Sequence, residues 1–149
     1  MNRHLYTTLL VIFVFNLGVI RWDPAQSKDS KPVRMAVAGI THGHSGWILG
    51  RKNNAEITLV GIFESNADLV QRSAQKYNLP GTLFYADLNK MLDALKPEAV
   101  VAFGSIYEHM AVVEACAPRG IHVMVEKPLA TNVVHATRME ELAKRYKIH

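Results

Sequence analysis

From Val33 onward the sequence alternates short apolar runs with amphipathic stretches, and this alternation constrains the fold more than any other feature. Val33-Arg34-Met35-Ala36-Val37-Ala38 reads as a buried strand that ends at Gly39. Ile57–Phe63, Leu83–Tyr85, Ala99–Phe103 and Ile121–Val125 read as four more, short and rich in β-branched or aromatic residues. The intervening stretches have helical spacing. A first helix is predicted from about His44 to Asn53. A second, capped by Ser65 or Asn66, puts Leu69, Val70, Ala74 and Tyr77 on one face and stops at Asn78-Leu79-Pro80-Gly81. Asp87 caps a third, with Leu88, Met91, Leu92 and Leu95 as its apolar stripe and Pro97 beyond its end. A fourth runs from about Glu108, with Met110, Val113 and Ala117 in phase, to Pro118 and Gly120. The last starts near Asn132 and ends on Lys144, Arg145 and Lys147, where cations complement the negative end of a helix dipole.

Strands alternating with helices build βαβ units, and nearly continuous apolar strands need cover on both sheet faces. With right-handed crossovers, the expected fold is α/β: a doubly wound parallel sheet of the Rossmann type, strand order 3-2-1-4-5. A sixth strand is expected where the sequence reaches Ile148-His149, so the chain reads as one domain, residues 33–149, cut short.

Composition agrees with one core-forming domain: 149 residues, 49% apolar and 20% charged. The net charge of +4 comes from scattered residues without a basic run, which argues against a nucleic-acid partner. A single cysteine, Cys116, excludes an intrachain disulfide and any zinc-type cysteine spacing. Its place on a sheet-packing helix predicts a buried, inert thiol rather than a nucleophile. Residues 1–27 stand apart. Arg3 and His4 precede the apolar run Leu9–Phe15, which resumes as Leu17–Ile20 before Ala25-Gln26-Ser27. That order is a secretory signal cleaved after Ser27, and it predicts an exported, periplasmic or extracellular protein. The alternative is an uncleaved membrane anchor, although the segment is shorter than the roughly 20 apolar residues of a full span. A membrane enters this reading only through that segment.

In an open α/β sheet, ligands bind at the carboxyl ends of the strands, beside the switch point at strand 1. Four stretches map there. The turn Gly39-Ile40-Thr41-His42-Gly43-His44-Ser45-Gly46 follows strand 1, where backbone N–H groups can face a pyrophosphate. Against the spacing G-x-G-x-x-G only Gly39 is in register; Thr41 and His44 hold the other two positions. Glu64, directly after strand 2 and 25 positions beyond Gly39, can accept the adenosine ribose hydroxyls. Its charge would repel the 2′-phosphate of NADP, so NAD is the expected cofactor. The turn Gly104-Ser105-Ile106-Tyr107-Glu108-His109 follows strand 4 and passes the nicotinamide half. Ser105 and His109 are therefore cofactor-site candidates, with a capping or solvated role as the alternative for His109. Glu126-Lys127-Pro128 follows strand 5 and sets a carboxylate and a cation at the crevice; Pro128 can hold that turn rigid, in the cis form if need be. His42 and His44 stand two apart with no third ligand near in sequence, so no metal site is expected. Ser45 has no catalytic triad that can be argued around it.

The run Gly120-Ile121-His122-Val123-Met124-Val125-Glu126-Lys127-Pro128-Leu129-Ala130, with His109 eleven residues before Gly120, resembles the Gfo/Idh/MocA family of oxidoreductases. The likeness extends over about Val33 to His149. It implies the cofactor domain of an NAD(P)-dependent dehydrogenase acting on a small-molecule sugar or polyol. It also implies that Glu126 contacts the nicotinamide ribose and that Lys127 faces the substrate and assists proton transfer. The family carries a second α/β domain that supplies most substrate contacts, and no part of this sequence corresponds to it. The short chain is therefore expected to be inactive alone, with an unpaired sheet edge that invites association between copies. The competing reading is a non-catalytic module that keeps the scaffold to hold a nucleotide or a protein partner.

Overall fold

The computed structural model describes residues 31–51 and 56–149; the segment read as a signal or anchor lies outside them. Five strands form one parallel sheet: β1 (Val33–Ala38), β2 (Ile57–Phe63), β3 (Phe84–Tyr85), β4 (Ala99–Ala102) and β5 (His122–Val125). Their order is β3-β2-β1-β4-β5, as the alternation predicts. Val37 pairs with Ile62 on one side and Val101 on the other, so the middle of β1 is the centre of the molecule. The β1–β2 register shifts between Met35 and Ala36.

Side chains alternate across a strand, so the sheet sorts its own core. Ala36, Ala38, Val100 and Ala102 face α3 (Leu88–Leu95) and α4 (Ile106–Cys116), where Met91, Leu92, Val112 and Cys116 close over them. Val37, Ile62, Val101 and Phe103 face the other way, toward Leu49 of α1 (Gly46–Leu49) and Leu69 and Tyr77 of α2 (Ala67–Tyr77). The last helix, α5 (Val133–Tyr146), packs Met139 and Leu142 with Val113, Ala117 and Ile148. Small alanines on β1 and β4 let α3 and α4 approach closely, which is why this core is nearly solvent-free. Cys116 is fully buried within it, and that burial pushes its thiol pKa up to about 12. At neutral pH it carries almost no thiolate, the reactive form.

The helix caps follow local chemistry. The side chains of Asn66, Asp87 and Asn132 accept the N–H groups of Leu69, Lys90 and His135, and each helix begins one residue later. β3, β4 and β5 are each one residue shorter than expected, α4 gives way to a 3-10 turn after Cys116, and two helix boundaries differ in a way that bears on the site. α1 is a single turn that ends at Leu49, not a helix reaching Asn53. Gly43, Gly46 and Gly50 lower helix propensity there, and a Cβ on Gly46 would come within 2.7 Å of the Tyr77 hydroxyl. α4 starts at Ile106, two residues earlier than expected, because Ser105 and Glu108 form its first turn. The Ser105 N–H donates to the Glu108 carboxylate at 2.6 Å, and the Glu108 N–H donates to the Ser105 carbonyl at 2.9 Å. Where a sixth strand was expected, His149 lies beside β5 and its carbonyl accepts the Val123 N–H at 2.8 Å.

Candidate functional site

The carboxyl ends of β1, β4 and β5 open onto a crevice of about 790 Å³. Its shape starts at Gly39, which ends β1 with φ of 73°. A Cβ there would fall 2.5 Å from the Cα of Gly104 at the end of β4, so the two loops touch backbone to backbone. The turn after Gly39 is then pinned. Gly39 N–H donates to Phe63 O at 2.8 Å, and His42 N–H to Phe103 O at 2.9 Å. The Thr41 hydroxyl makes a longer bond to Phe103 O, 3.4 Å. Ser45 N–H reaches His42 O at 3.0 Å, and His44 N–H reaches His42 Nδ1 at 3.3 Å. Among the described residues, the loop amides left for a ligand are those of Thr41 and Gly43, and the space beside Gly43 is open.

Glu64 does more inside the protein than its sequence position suggests. It is only 7% exposed. Oε2 accepts the Ile40 N–H at 3.1 Å, and Oε1 accepts the Asn66 N–H at 2.9 Å. One carboxylate thus ties the β1 loop to the start of α2. A carboxylate can take about four hydrogen bonds, so capacity remains for further donors.

Glu126 reaches across the top of β4. Its Oε2 lies 2.5 Å from His44 Nδ1 and 3.6 Å from His42 Nδ1, and its Oε1 accepts the Lys127 N–H at 2.9 Å. The His44 hydrogen bond, aided by the Lys127 amide, holds the Glu126 carboxyl below the usual glutamate range. The His44 ring stacks on Trp47 with 3.9 Å between centroids, which fixes its plane. Sequence spacing offers no third donor near His42 and His44; the fold corrects that premise by delivering Glu126 from 82 positions beyond His44. Lys127 is exposed at the crevice, and the Lys127–Pro128 peptide is cis.

His109 corrects the alternative of a capping or solvated histidine. It lies a full turn inside α4, is 1% exposed, and its Nδ1 stands 3.2 Å from the Leu129 carbonyl. It braces the segment after Pro128 from below, and its Nε2 has no partner among the described residues. Of the predicted positions, Thr41, Ser105, His109, Glu126 and Lys127 share the crevice wall. Gly39, Glu64 and His44 stand outside the lining, shaping the loop or holding Glu126. His42 lines the crevice and was not foreseen as a cofactor-site residue; its place in a turn at the switch point was the available signal.

The fold that carries this crevice is shared with known proteins. YceM of Salmonella typhimurium, named as an oxidoreductase, is 29% identical over 119 residues, which is 79% of this chain and 37% of that protein. The WlbA dehydrogenase of Chromobacterium violaceum, solved with NADH and UDP-GlcNAcA, superposes with a TM-score of 0.69 at 21% identity, covering 80% of this chain and 34% of that one. An oxidoreductase from Desulfitobacterium hafniense described as NADPH-dependent has a TM-score of 0.67 at 24% identity, with 80% and 34% coverage. At such identities the superpositions establish the fold. The chain spans a little over one third of the length of these relatives. The family model for oxidoreductases with an NAD-binding Rossmann fold matches residues 33–148, and on that match this chain belongs to the Gfo/Idh/MocA family.

Proposed function

We propose that this domain holds NAD, in preference to NADP, for an oxidoreductase acting on a sugar or polyol hydroxyl, with Lys127 as the acid/base group. The observation that carries the reading is the crevice itself. It sets Thr41, Gly104, Glu126 and Lys127 around one opening at the carboxyl ends of β1, β4 and β5, with the uncommitted Gly43 amide two residues beyond Thr41 in the same loop. Gly104, against whose backbone Gly39 packs, adds no side chain to the crevice wall, which suits close approach of a pyrophosphate. When bound, NAD supplies the hydride acceptor. Glu126 would orient the nicotinamide ribose, and the Lys127 amine would take the proton of the reacting hydroxyl as its carbon gives up hydride. Glu64 supports the preference for NAD, because its buried charge at the end of β2 disfavours a 2′-phosphate.

Calorimetric titration of the chain with NADH and NADPH tests this. Saturable binding of NADH, tighter than NADPH, is the expected result, with the difference narrowed in Glu64→Gln. Tighter NADPH binding would overturn the cofactor assignment. Absence of binding by either would favour a partner-binding module, a reading consistent with a loop whose amides are mostly committed internally.

We also propose that residues 1–27 direct export, on the order of charge, apolar run and small residues around Ser27. N-terminal sequencing of the mature protein should begin at Lys28; a cytoplasmic protein beginning at Met1 would contradict it.

A further inference from the structure

We propose that His42, His44 and Glu126 form a binding site for a divalent first-row transition metal of the zinc type. The three side chains converge from two loops: His42 and His44 follow β1, and Glu126 follows β5. One donor atom from each lies within 4.8 Å of the other two. Glu126 Oε2 is the hub, 2.5 Å from His44 Nδ1 and 3.6 Å from His42 Nδ1. In a tetrahedral zinc site, with metal–ligand bonds near 2.0–2.1 Å, neighbouring donors stand about 3.3 Å apart. The His42–Glu126 separation is already of that size. The His44–Glu126 pair is drawn closer by its hydrogen bond, and a cation entering between them would replace that bond and open the pair by about 0.8 Å. Small rotations of the two partly exposed histidines, 36% and 35% exposed, suffice around the more buried Glu126; they release the 3.3 Å bond from the His44 N–H so that His42 Nδ1 can turn to the metal.

The surroundings hold the donors in place as an outer shell does in metal sites. Trp47 stacks on the His44 ring, the His42 ring meets it edge-on at 4.6 Å, and the Lys127 amide anchors the far oxygen of Glu126. Two imidazoles and one carboxylate select zinc and its neighbours over magnesium or calcium, which prefer sets of oxygens. Three protein ligands leave a fourth position for an exchangeable oxygen ligand from the crevice, whose wall includes His42 and Glu126. The proposal does not rest on the cofactor reading, because the metal is titrated alone.

The test is titration of the full 149-residue chain with zinc by calorimetry and with cobalt by visible absorption. One equivalent should bind, with the intense visible bands of a four-coordinate cobalt site. His42→Ala, His44→Ala and Glu126→Gln should each weaken binding at least 10–100-fold. The shape-preserving Glu126→Gln, checked by its thermal melt, separates ligand loss from misfolding. His122→Ala, which removes the remote pair of stacked histidines His122 and His149, should change nothing. Absence of stoichiometric binding overturns the proposal. So does binding that survives all three ligand variants, or binding that is lost with His122.

Discussion

Replacing Gly39 with alanine is expected to cost about 2–4 kcal/mol of stability and to lower Tm by roughly 10–20 °C. Two independent penalties act at that position. The backbone φ of 73° lies in the left-handed region, where a Cβ costs about 1–2 kcal/mol. The new Cβ would also fall 2.5 Å from Gly104 Cα and 2.7 Å from its nitrogen. Both obstacles are backbone, so neither can swing aside, and the β1 and β4 loops must separate. That movement strains the bonds of Gly39 to Phe63 and of Phe103 to Ala38, 2.8 and 3.0 Å in the intact protein. Gly43→Ala, four residues along the same loop, meets open space and should melt within about 2 °C of the parent protein. Thermal melts of both variants check the contrast. A Gly39→Ala protein as stable as the parent would mean that the two loops do not touch.

On the acid/base role proposed for Lys127, Lys127→Ala in a full-length oxidoreductase built on this domain is expected to reduce kcat by about 10²–10⁴-fold. That loss corresponds to about 3–5 kcal/mol of transition-state stabilisation. The turn itself should survive, because Lys127 contributes only its backbone N–H to it, donating to Glu126 Oε1 at 2.9 Å. The proposed role is local to the side chain: the Lys127 amine, exposed at the crevice, would take the proton that the reacting hydroxyl gives up and return it in the reverse direction. The KM for the nicotinamide cofactor should therefore stay close to that of the parent enzyme. Steady-state kinetics with the cofactor and a panel of sugars and polyols separates the two parameters. A kcat within about threefold of the parent would remove Lys127 from the chemistry.

The sheet was legible in the sequence because each strand is a short apolar run flanked by its own stop signals. Asn66, Asp87 and Asn132 cap helices by contacts three residues away, so their role could be read locally. Gly39 was legible for the same reason, as a glycine at the end of the first strand. What escaped was set by distance along the chain. The short α1 was signalled locally by Gly46 and Gly50, whereas the packing of Tyr77 against Gly46 is a contact between helices that no local propensity encodes. Glu64 could be placed at a strand end, but its bonds to Ile40 and Asn66 depend on β1 and β2 being neighbours. The meeting of His44 with Glu126 was recoverable in principle. Strand order places β1 and β5 two strand spacings apart, roughly 10 Å, which a histidine and a glutamate can bridge across β4. The burial of His109 could not be read from helix phase, since α4 carries apolar residues on most of its circumference and hides which face turns inward.

On the proposed reading, the dinucleotide lies over the carboxyl ends of β1, β4 and β5. The most direct measurement is a titration of the isotopically labelled chain with NADH, followed through its backbone amide resonances. The Thr41, Gly43, Ser105 and Glu126 amides should shift together and saturate with one affinity, while α5, from Val133 to Tyr146, stays still. Shifts confined to α5 and the β5 edge, with the Thr41 and Gly43 amides unmoved, would contradict that reading.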